Sequence, residues 1–347
     1  MPEIGSEYAP GPGTAHAPGS PESSLTRLTI DFWPGSIDFV DFVDFESTRA
    51  EAACVFDGVQ PRIPIAELTT VAAGVDYAEG ICMTPDGVVH VSGEKGQVYW
   101  IDAEGVATEI ASTGGWTLGL ASDGAGRIVA CDPARHEVLR LDPADGTWTV
   151  LSAGASDARF ATPNWAAYGP RGDLFVSDSG AWKGGDGRIV VIRPDGRTEL
   201  FTTESADFPN GLAVTPDGRE LWVLESTPGR LVRFEILADG RAGPRRVVAE
   251  LPGTVPDGIA FAADGSAVIA CYRPDIVFRW RPDGPPELLA ADIEGTGLAA
   301  PTNVLFHGPD LDTISVPNIG RWHVTTFRVE GLRGTPLWYP VAADLGY

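Results

Sequence analysis

The sequence predicts an all-β protein, a six-bladed β-propeller of four-stranded antiparallel blades. The first observation is an internal repeat, in which six similar segments follow one another at intervals of about 40–50 residues. The second is the pattern inside each segment, where short strands rich in Val, Ile, Leu and aromatic residues alternate with Asp-Gly turns. The third is composition, because 42 glycines and 29 prolines among 347 residues favour many turns over long helices. The six repeats begin at Glu79, Leu118, Asn164, Asn210, Asp257 and Asn303.

Each repeat supplies three strands, and a fourth fits between repeats in stretches such as TELFTT, RRVVAEL and PELLAA. Stacked helix pairs are excluded because the sequence has no 3.6-residue periodicity, and a jelly roll does not account for six equal repeats. The chain after Asn303 is long enough only for the inner strands of the last blade. We therefore expect its outer strand to come from IAELTTVAAG, which precedes Glu79 and would join the two ends of the propeller.

Three regions are predicted along the chain. Residues 1–24 are rich in Pro, Gly and Ser, and we expect them to form a disordered tail. Residues 25–64 are predicted to be an N-terminal extension, either a lid or an added strand. The extension contains IDFVDFVDF, whose acids recur at every third position and do not match a calcium-binding loop. Residues 65–347 are assigned to the propeller.

Charge and cysteine content narrow the possible partners and compartment. Lys and Arg number 25 against 48 Asp and Glu, a formal net charge of −23, which disfavours nucleic acid and anionic membranes as partners. A small-molecule substrate is the expected partner, and the oligomeric state stays open. The four cysteines lie far apart and the N-terminus lacks the basic and apolar regions of a secretory signal, so a cytoplasmic protein is expected.

The first residues of the repeats form a set of candidate metal ligands. Chain direction places all six on one face of the propeller, around the central channel, and five of the six carry side-chain oxygen. Such a hard-oxygen set suits Ca²⁺, with Mg²⁺, Mn²⁺ or Zn²⁺ as other possible divalent cations. The alternative is ordinary turn chemistry, because Asn and Asp before Gly are common turn residues. Against it, Pro163, Pro209 and Pro256 directly precede three of these positions, as a preorganised site would need.

Four segments carry a resemblance to a known family: AEGICMTPDG, FPNGLAVTPDGRELWVLES, VPDGIAFAADGSAVIACY and APTNVLFHGPDLDTISV. They resemble the senescence marker protein, gluconolactonase and luciferin-regenerating enzyme-like family, and the likeness runs from about residue 79 to 331. The resemblance implies a six-bladed propeller that hydrolyses sugar lactones or, in some relatives, organophosphates. It also implies metal ligation by Glu79, Asn164, Asn210 and Asp257.

Two departures from the family pattern concern the substrate. The first motif reads EGI where EGP is usual, and the third-blade motif reads PNW, so Trp165 stands in place of an acid. The arginine that often precedes the third-blade asparagine has no clear counterpart. These changes disfavour a sugar lactone more than they disfavour the metal.

The predicted mechanism is metal-dependent hydrolysis of a small ester, most simply a lactone. Asp257 is the first candidate for the general base and Glu79 the second, because no motif for a covalent nucleophile occurs. The loops between the second and third strands return to the same face as the metal ligands and should form the rim of the pocket. The predicted substrate-binding residues are Trp116, Trp165, Asp178, Trp182, Tyr272, Arg273 and Asn303.

Two other classes of function remain open. The chain also resembles the strictosidine synthase-like propellers, and Glu225 stands where that group has a glutamate. That resemblance implies a lyase or condensing enzyme without an essential metal. The second alternative is a non-catalytic propeller that serves as a binding scaffold.

Overall fold

The computed structural model describes residues 59–156 and 158–341, in which the strands form six four-stranded antiparallel sheets and one two-stranded hairpin. Each four-stranded sheet contains one of the predicted repeats, which confirms the six-bladed propeller. Strands are numbered β1 to β26 in chain order, and the first strand of each repeat is the innermost of its blade. Blade 1 contains β2 (Ile81–Met83), β3 (Val89–Ser92), β4 (Gln97–Ile101) and β5 (Ala107–Ser112). Blade 2 contains β6 (Leu120–Ser122), β7 (Ile128–Asp132), β8 (Glu137–Asp142) and β9 (Thr147–Ser152). Blade 3 contains β12 (Pro163–Tyr168), β13 (Leu174–Asp178), β14 (Arg188–Ile192) and β15 (Thr198–Thr202).

Blades 4 to 6 complete the ring. Blade 4 contains β16 (Pro209–Val214), β17 (Glu220–Glu225), β18 (Arg230–Glu235) and β19 (Arg246–Glu250). Blade 5 contains β20 (Val255–Phe261), β21 (Ala267–Arg273), β22 (Ile276–Trp280) and β23 (Glu287–Ala291). Blade 6 contains β24 (Leu305–His307), β25 (Thr313–Asn318), β26 (His323–Arg328) and β1 (Thr69–Val71). The hairpin of β10 (Gly154–Ala155) and β11 (Ala158–Arg159) lies between blades 2 and 3.

The ring closes as the sequence predicts. Strand β1 pairs antiparallel with β26, and Thr70 lies opposite Thr325. Blade 6 therefore takes its outer strand from the chain before blade 1, and this pairing joins the two ends of the propeller. The Asp-Gly turns also take the expected form, because Gly87, Gly218 and Gly265 adopt φ values of 89°, 71° and 81°.

Apolar side chains fill the spaces between neighbouring blades. Phe175 and Phe201 of blade 3 meet edge to face with ring centroids 5.1 Å apart, and Phe201 continues to Phe234 of blade 4 at 6.3 Å. Full burial of one such side chain contributes about 1.5–3 kcal/mol to folding. Because this packing lies between blades, the channel itself is left for other residues.

The chain that flanks the propeller is described in part. Of the extension, residues 59–64 are described, and the Arg62 and Ile63 amides donate to the Leu288 and Leu289 carbonyls at 3.0 and 2.8 Å. This pairing extends the outer edge of blade 5. The tail at 1–24 and the IDFVDFVDF segment lie outside the described residues, and the domain boundaries stay predictions.

After β26 the chain crosses the face opposite the repeat starts, and residues 333–340 are called the C-terminal strap here. Tyr339 Oη donates to the Met83 carbonyl at 2.7 Å, and the Thr335 amide donates to the Phe261 carbonyl at 3.1 Å. The strap thereby connects blade 5 with blade 1, the two blades on either side of blade 6. Within the described ranges, no helical segment has the length and apolar character that crossing a membrane requires.

Candidate metal and substrate site

The first residues of the six repeats lie next to one another around the channel axis and are called the inner ring here. Hydrogen bonds to backbone carbonyls connect neighbouring positions. The Gly119 amide donates to the Asn164 carbonyl at 2.8 Å, Ser179 Oγ donates to the carbonyl of Pro209, and Thr302 Oγ1 donates to the Glu79 carbonyl at 3.1 Å. These contacts connect blade 2 with blade 3, blade 3 with blade 4 and blade 6 with blade 1. The six ring residues are Glu79, Leu118, Asn164, Asn210, Asp257 and Asn303, all at most 8% exposed.

A glycine follows the ring residue in four of the six repeats, and close packing explains it. A Cβ placed on Gly80 would lie 2.1 Å from the Leu118 carbonyl oxygen, and one on Gly211 would lie 2.2 Å from the Asp257 carbonyl oxygen. No side chain fits at such distances. The glycines therefore let neighbouring inner strands approach until the ring side chains converge on the axis. The other two are Gly119 and Gly258.

Glu79 and Asp257 form a buried acidic pair in this ring. Burial raises the pKa of Glu79 from 4.5 to about 8. Burial also raises the pKa of Asp257 well above its usual range, and the neighbouring Glu79 charge raises it further, while a hydrogen bond from Asn210 lowers it. Two carboxylates held together away from water favour either protonation or a bound cation.

The ring amides have unused hydrogen-bonding atoms. Asn210 Nδ2 donates to Ser226 Oγ at 3.3 Å, which leaves Asn210 Oδ1 buried with no partner among the described residues. Asn164 Nδ2 is also buried and has no partner among the described residues. A 180° rotation of that amide would present its oxygen instead. Buried polar atoms without a protein partner are places where a water, an ion or a ligand can bind.

These residues fit a hard divalent cation. Glu79 and Asp257 supply two carboxylates whose mutual repulsion a cation would relieve, and Asn210 Oδ1 supplies a free amide oxygen. In the described ranges no three His, Cys, Asp or Glu side chains come together as a metal cluster, so amide oxygens must complete the set. Carboxylate and amide oxygens are typical ligands of Ca²⁺, whereas zinc usually takes histidine or thiolate.

Aromatic residues surround the mouth of the ring. Trp116 meets Tyr77 edge to face at 6.4 Å, and Trp182 meets Phe208 at 5.0 Å. Tyr272 packs near Trp182 and carries the Arg273 guanidinium over its ring at 4.5 Å. Three predicted substrate-binding residues, Trp116, Trp182 and Tyr272, therefore lie together in an aromatic wall.

Tyr77 and Phe208 belong to this wall, although the sequence did not single them out. Burial and the nearby Glu79 charge raise the pKa of the Tyr77 phenol, so Tyr77 stays neutral and lies close to the acidic pair. Each residue precedes a ring residue by two positions and adopts a positive φ, 53° for Tyr77 and 55° for Phe208. The sequence carries one signal for these two residues, which is an aromatic residue two positions before the ring residue in both repeats.

The structure places Trp165 inside the channel. Its indole extends from blade 3 past blade 4 to blade 5, where Cη2 lies 3.0 Å from the position that a Cβ on Gly258 would take. Residue 165 occupies a position that is glycine in four other repeats, so its large side chain projects across the axis. Trp165 therefore forms a floor beneath the acidic pair.

Two other predicted residues, Asp178 and Arg273, have their charges paired within the protein. Asp178 is buried at the end of β13, where its carboxylate accepts hydrogen bonds from the Ala161 and Thr162 amides and pairs with Arg188 at 2.8 Å. Arg273 donates to Asp275 Oδ1 at 2.9 Å and to a backbone carbonyl. The assignments of metal, catalytic and substrate-binding residues stay predictions, and the geometry favours the ring and the aromatic wall over Asp178.

Comparison with known proteins identifies relatives of this chain. The family model described as the SMP-30/gluconolactonase/LRE-like region matches residues 78–318. A strictosidine synthase-like protein of Arabidopsis thaliana is 26% identical over 173 residues, which is 46% of this chain and 44% of that protein. Two other curated relatives are matched over 60% and 22% of their length, so this chain spans less than two thirds of the curated relatives it matches.

Solved structures share the fold. A gluconolactonase from Xanthomonas campestris superimposes with a TM-score of 0.65 at 22% identity, covering 75% of this chain and 89% of that one. The calcium-binding protein regucalcin from Agrobacterium tumefaciens superimposes with a TM-score of 0.63 at 20% identity, covering 78% of this chain and 95% of that one. The match of the family model over most of the propeller shows that this chain belongs to the SMP-30/gluconolactonase/LRE-like family.

Proposed function

We propose that this protein is a lactonase-type hydrolase that depends on a divalent cation, with Ca²⁺ as the preferred ion. Membership of the gluconolactonase-like family supports a lactonase-type function. The observation that carries the metal dependence is the buried pair of Glu79 and Asp257 next to Asn210, whose side-chain oxygen has no partner among the described residues. Glu79, Asn164, Asn210 and Asp257 would hold the cation. When bound, a Ca²⁺ ion would polarise the ester carbonyl and stabilise the oxyanion that develops on it.

The protein's own residues supply the proton transfer and the orientation. Asp257 is the first candidate to accept a proton from the attacking water, with Glu79 as the second. The Asn210 hydrogen bond favours the charged form of Asp257 and fixes one of its oxygens. Burial holds the phenol pKa values of Tyr77 and Tyr272 above their usual range, so both hydroxyls keep their protons and can donate to substrate oxygen.

The walls of the site favour a lactone with an apolar portion. Trp116, Trp182 and Tyr272 offer aromatic surface, and Trp165 closes the channel below the ring. A polyhydroxylated sugar lactone needs many hydrogen-bond partners, whereas an aromatic wall favours apolar or stacking ligands. We therefore expect an alkyl or aromatic lactone to be a better substrate than gluconolactone.

A panel of lactones, assayed with and without a metal chelator, tests this proposal. We expect turnover that the chelator abolishes and that Ca²⁺ restores. Glu79→Gln and Asp257→Asn should lower kcat/KM by about 100-fold or more, whereas Glu109→Gln, on the exposed outer strand β5, should leave it unchanged. Rates unaffected by the chelator would remove the cation from the mechanism. Preference for gluconolactone would contradict the assignment of the aromatic wall.

The relationship to a strictosidine synthase-like protein favours a second candidate, a lyase or condensing enzyme without an essential metal. That candidate would use Glu225, which is fully buried and held by Arg245 Nη2 at 2.6 Å and Ser205 Oγ at 2.9 Å. A carboxylate with these partners is poorly placed to contact a substrate. Absence of lactone turnover in a protein that binds Ca²⁺ would favour this candidate or a binding scaffold.

A further inference from the structure

We propose that the lower half of the central channel is a second binding chamber, which takes a small, mostly apolar molecule with one hydrogen-bond acceptor. A cavity of about 120 Å³ lies there, further along the inner strands than the ring. Trp165 forms its roof and the C-terminal strap forms its floor. A buried apolar cavity of about 150 Å³ is enough to bind benzene. The lining side chains include Ile81, Leu120, Leu212, Ile259, Val304 and Trp338.

Small residues at one repeat position create this chamber. The fourth residue of each repeat lines the chamber, and in five of the six repeats it is cysteine or alanine. The sixth repeat has Phe306, which packs against Gly334 of the strap. A larger residue at any of the five positions would reduce the volume. These positions are Cys82, Ala121, Ala167, Ala213 and Ala260.

Trp165 separates the chamber from the proposed metal site. Its indole crosses the channel to Gly258, as described above. Of the six inner-ring residues, all of which are described, Asn303 is the one that lines the chamber. Asn303 therefore belongs to the chamber in this proposal, and the acidic pair belongs to the other side of Trp165.

Three hydroxyl groups of the chamber already have acceptors within the protein, and Asn303 offers a donor that does not. Ser122, Thr335 and Tyr339 donate their hydroxyl hydrogens to backbone carbonyls of the protein. Asn303 Oδ1 accepts the Val304 amide at 2.7 Å, which fixes the orientation of the side chain. Its Nδ2 is buried and has no partner within the described residues.

This arrangement suits an organic ligand better than water. A buried water needs two to four polar partners, whereas Asn303 Nδ2 is a single donor set in a wall of mainly aliphatic and aromatic side chains. A carbonyl oxygen, an ether oxygen or a nitrile nitrogen would accept the hydrogen bond from Asn303 Nδ2. The rest of the molecule would lie against the aliphatic side chains and the Trp165 and Trp338 indoles.

Two ligands of nearly equal shape test the proposal on the full-length protein. Cyclohexanone carries a carbonyl acceptor, and methylenecyclohexane replaces that oxygen with carbon. Calorimetry or saturation-transfer NMR should show saturable binding of cyclohexanone that is about ten-fold tighter than that of methylenecyclohexane. Asn303→Leu should abolish the difference between the two ligands. Equal affinities for the parent protein, or a preference that survives in Asn303→Leu, would overturn the role of Asn303.

Chamber-filling variants locate the binding. Ala213→Leu and Ala260→Leu should each lower cyclohexanone affinity by ten-fold or more, whereas Ala103→Leu, in an exposed turn of blade 1, should not change it. Thermal unfolding shows which variants fold cooperatively, and either filling variant is sufficient. A folded filling variant that binds cyclohexanone with the parental affinity would overturn the proposal, as would absence of saturable binding to the parent.

Discussion

Two sets of buried acids in this propeller differ in what surrounds them. The inner-ring pair, Glu79 and Asp257, lies on the channel axis beside an amide oxygen that has no partner within the described chain. The second set, called the strand-end acids here, lies one strand further out, at the ends of β7, β13 and β17. These are Asp132, Asp178 and Glu225, at most 1% exposed.

The strand-end acids are surrounded by donors. Asp132 accepts hydrogen bonds from Thr113 Oγ1 at 2.6 Å and from the Trp116 amide at 3.0 Å. Asp178 accepts from the Thr162 amide at 2.6 Å and pairs with Arg188. Each carboxylate accepts hydrogen bonds from the loop before its own blade and so stabilises the position of that loop.

The inner-ring pair has no comparable set of donors among the described residues, although it is slightly more exposed. Its carboxylates repel each other, and burial raises the pKa of Glu79 to about 8. The difference shows that burial alone does not identify a functional acid. The partners of the carboxylate decide, because a buried charge without donors is costly unless a cation or a proton neutralises it.

The largest expected effect is loss of a strand-end acid. Asp178→Ala should lower the free energy of unfolding by about 3–5 kcal/mol, because it leaves Arg188 and two backbone amides without their acceptor. Urea denaturation measures this change. The exposed Asp283→Ala should change stability by less than about 0.5 kcal/mol. A loss for Asp178→Ala as small as that of the control would contradict the structural role.

Glu79→Gln should stabilise the metal-free protein, in contrast to the loss of stability expected for Asp178→Ala. Burial makes the Glu79 carboxylate costly to ionise, so replacing it with a neutral amide should raise the free energy of unfolding at pH 8. The measurement is urea denaturation with excess chelator, with Glu109→Gln as the matched control. Destabilisation by Glu79→Gln under these conditions would show that the pair is not repulsive.

The same carboxylate makes the stability of the metal-free protein depend on pH. The pKa of Glu79 rises from 4.5 to about 8 on folding, so between these values the folded protein holds a proton that the unfolded chain has released. Glu79 therefore makes stability fall as pH increases from about 4.5 to 8. Melting temperatures measured across this range with chelator should decline, and added Ca²⁺ should flatten the decline. The same slope for Glu79→Gln as for the parent would assign the dependence to other groups.

The sequence predicted the parts of this account that depend on the repeat. Six equivalent starts placed Glu79, Asn210 and Asp257 on one face, and the structure brings these positions together at the axis. The resemblance to the gluconolactonase-like family, carried by the same repeats, is confirmed by the family model.

What the sequence did not reveal depends on neighbours distant along the chain. The amides that donate to Asp178 belong to Ala161 and Thr162, in the loop before β12, which lie 17 and 16 residues earlier in the chain. A strand-end acid and a pocket acid therefore look alike in the sequence. Trp165 seemed a residue of the mouth, yet its side chain crosses the channel because the positions that face it are glycines. The strap likewise has no repeat pattern, so its place below the channel could not be predicted.

The central claim, that the inner ring is a cation site, is tested most directly by calorimetric titration of Ca²⁺ at pH 7 in two buffers of different ionisation enthalpy. We expect one ion per chain and a net release of protons, because the pKa values of Glu79 and Asp257 are raised in the metal-free protein. Glu79→Gln and Asp257→Asn should weaken binding by about 100-fold or more. Absence of binding, or parental affinity in both variants, would contradict the account.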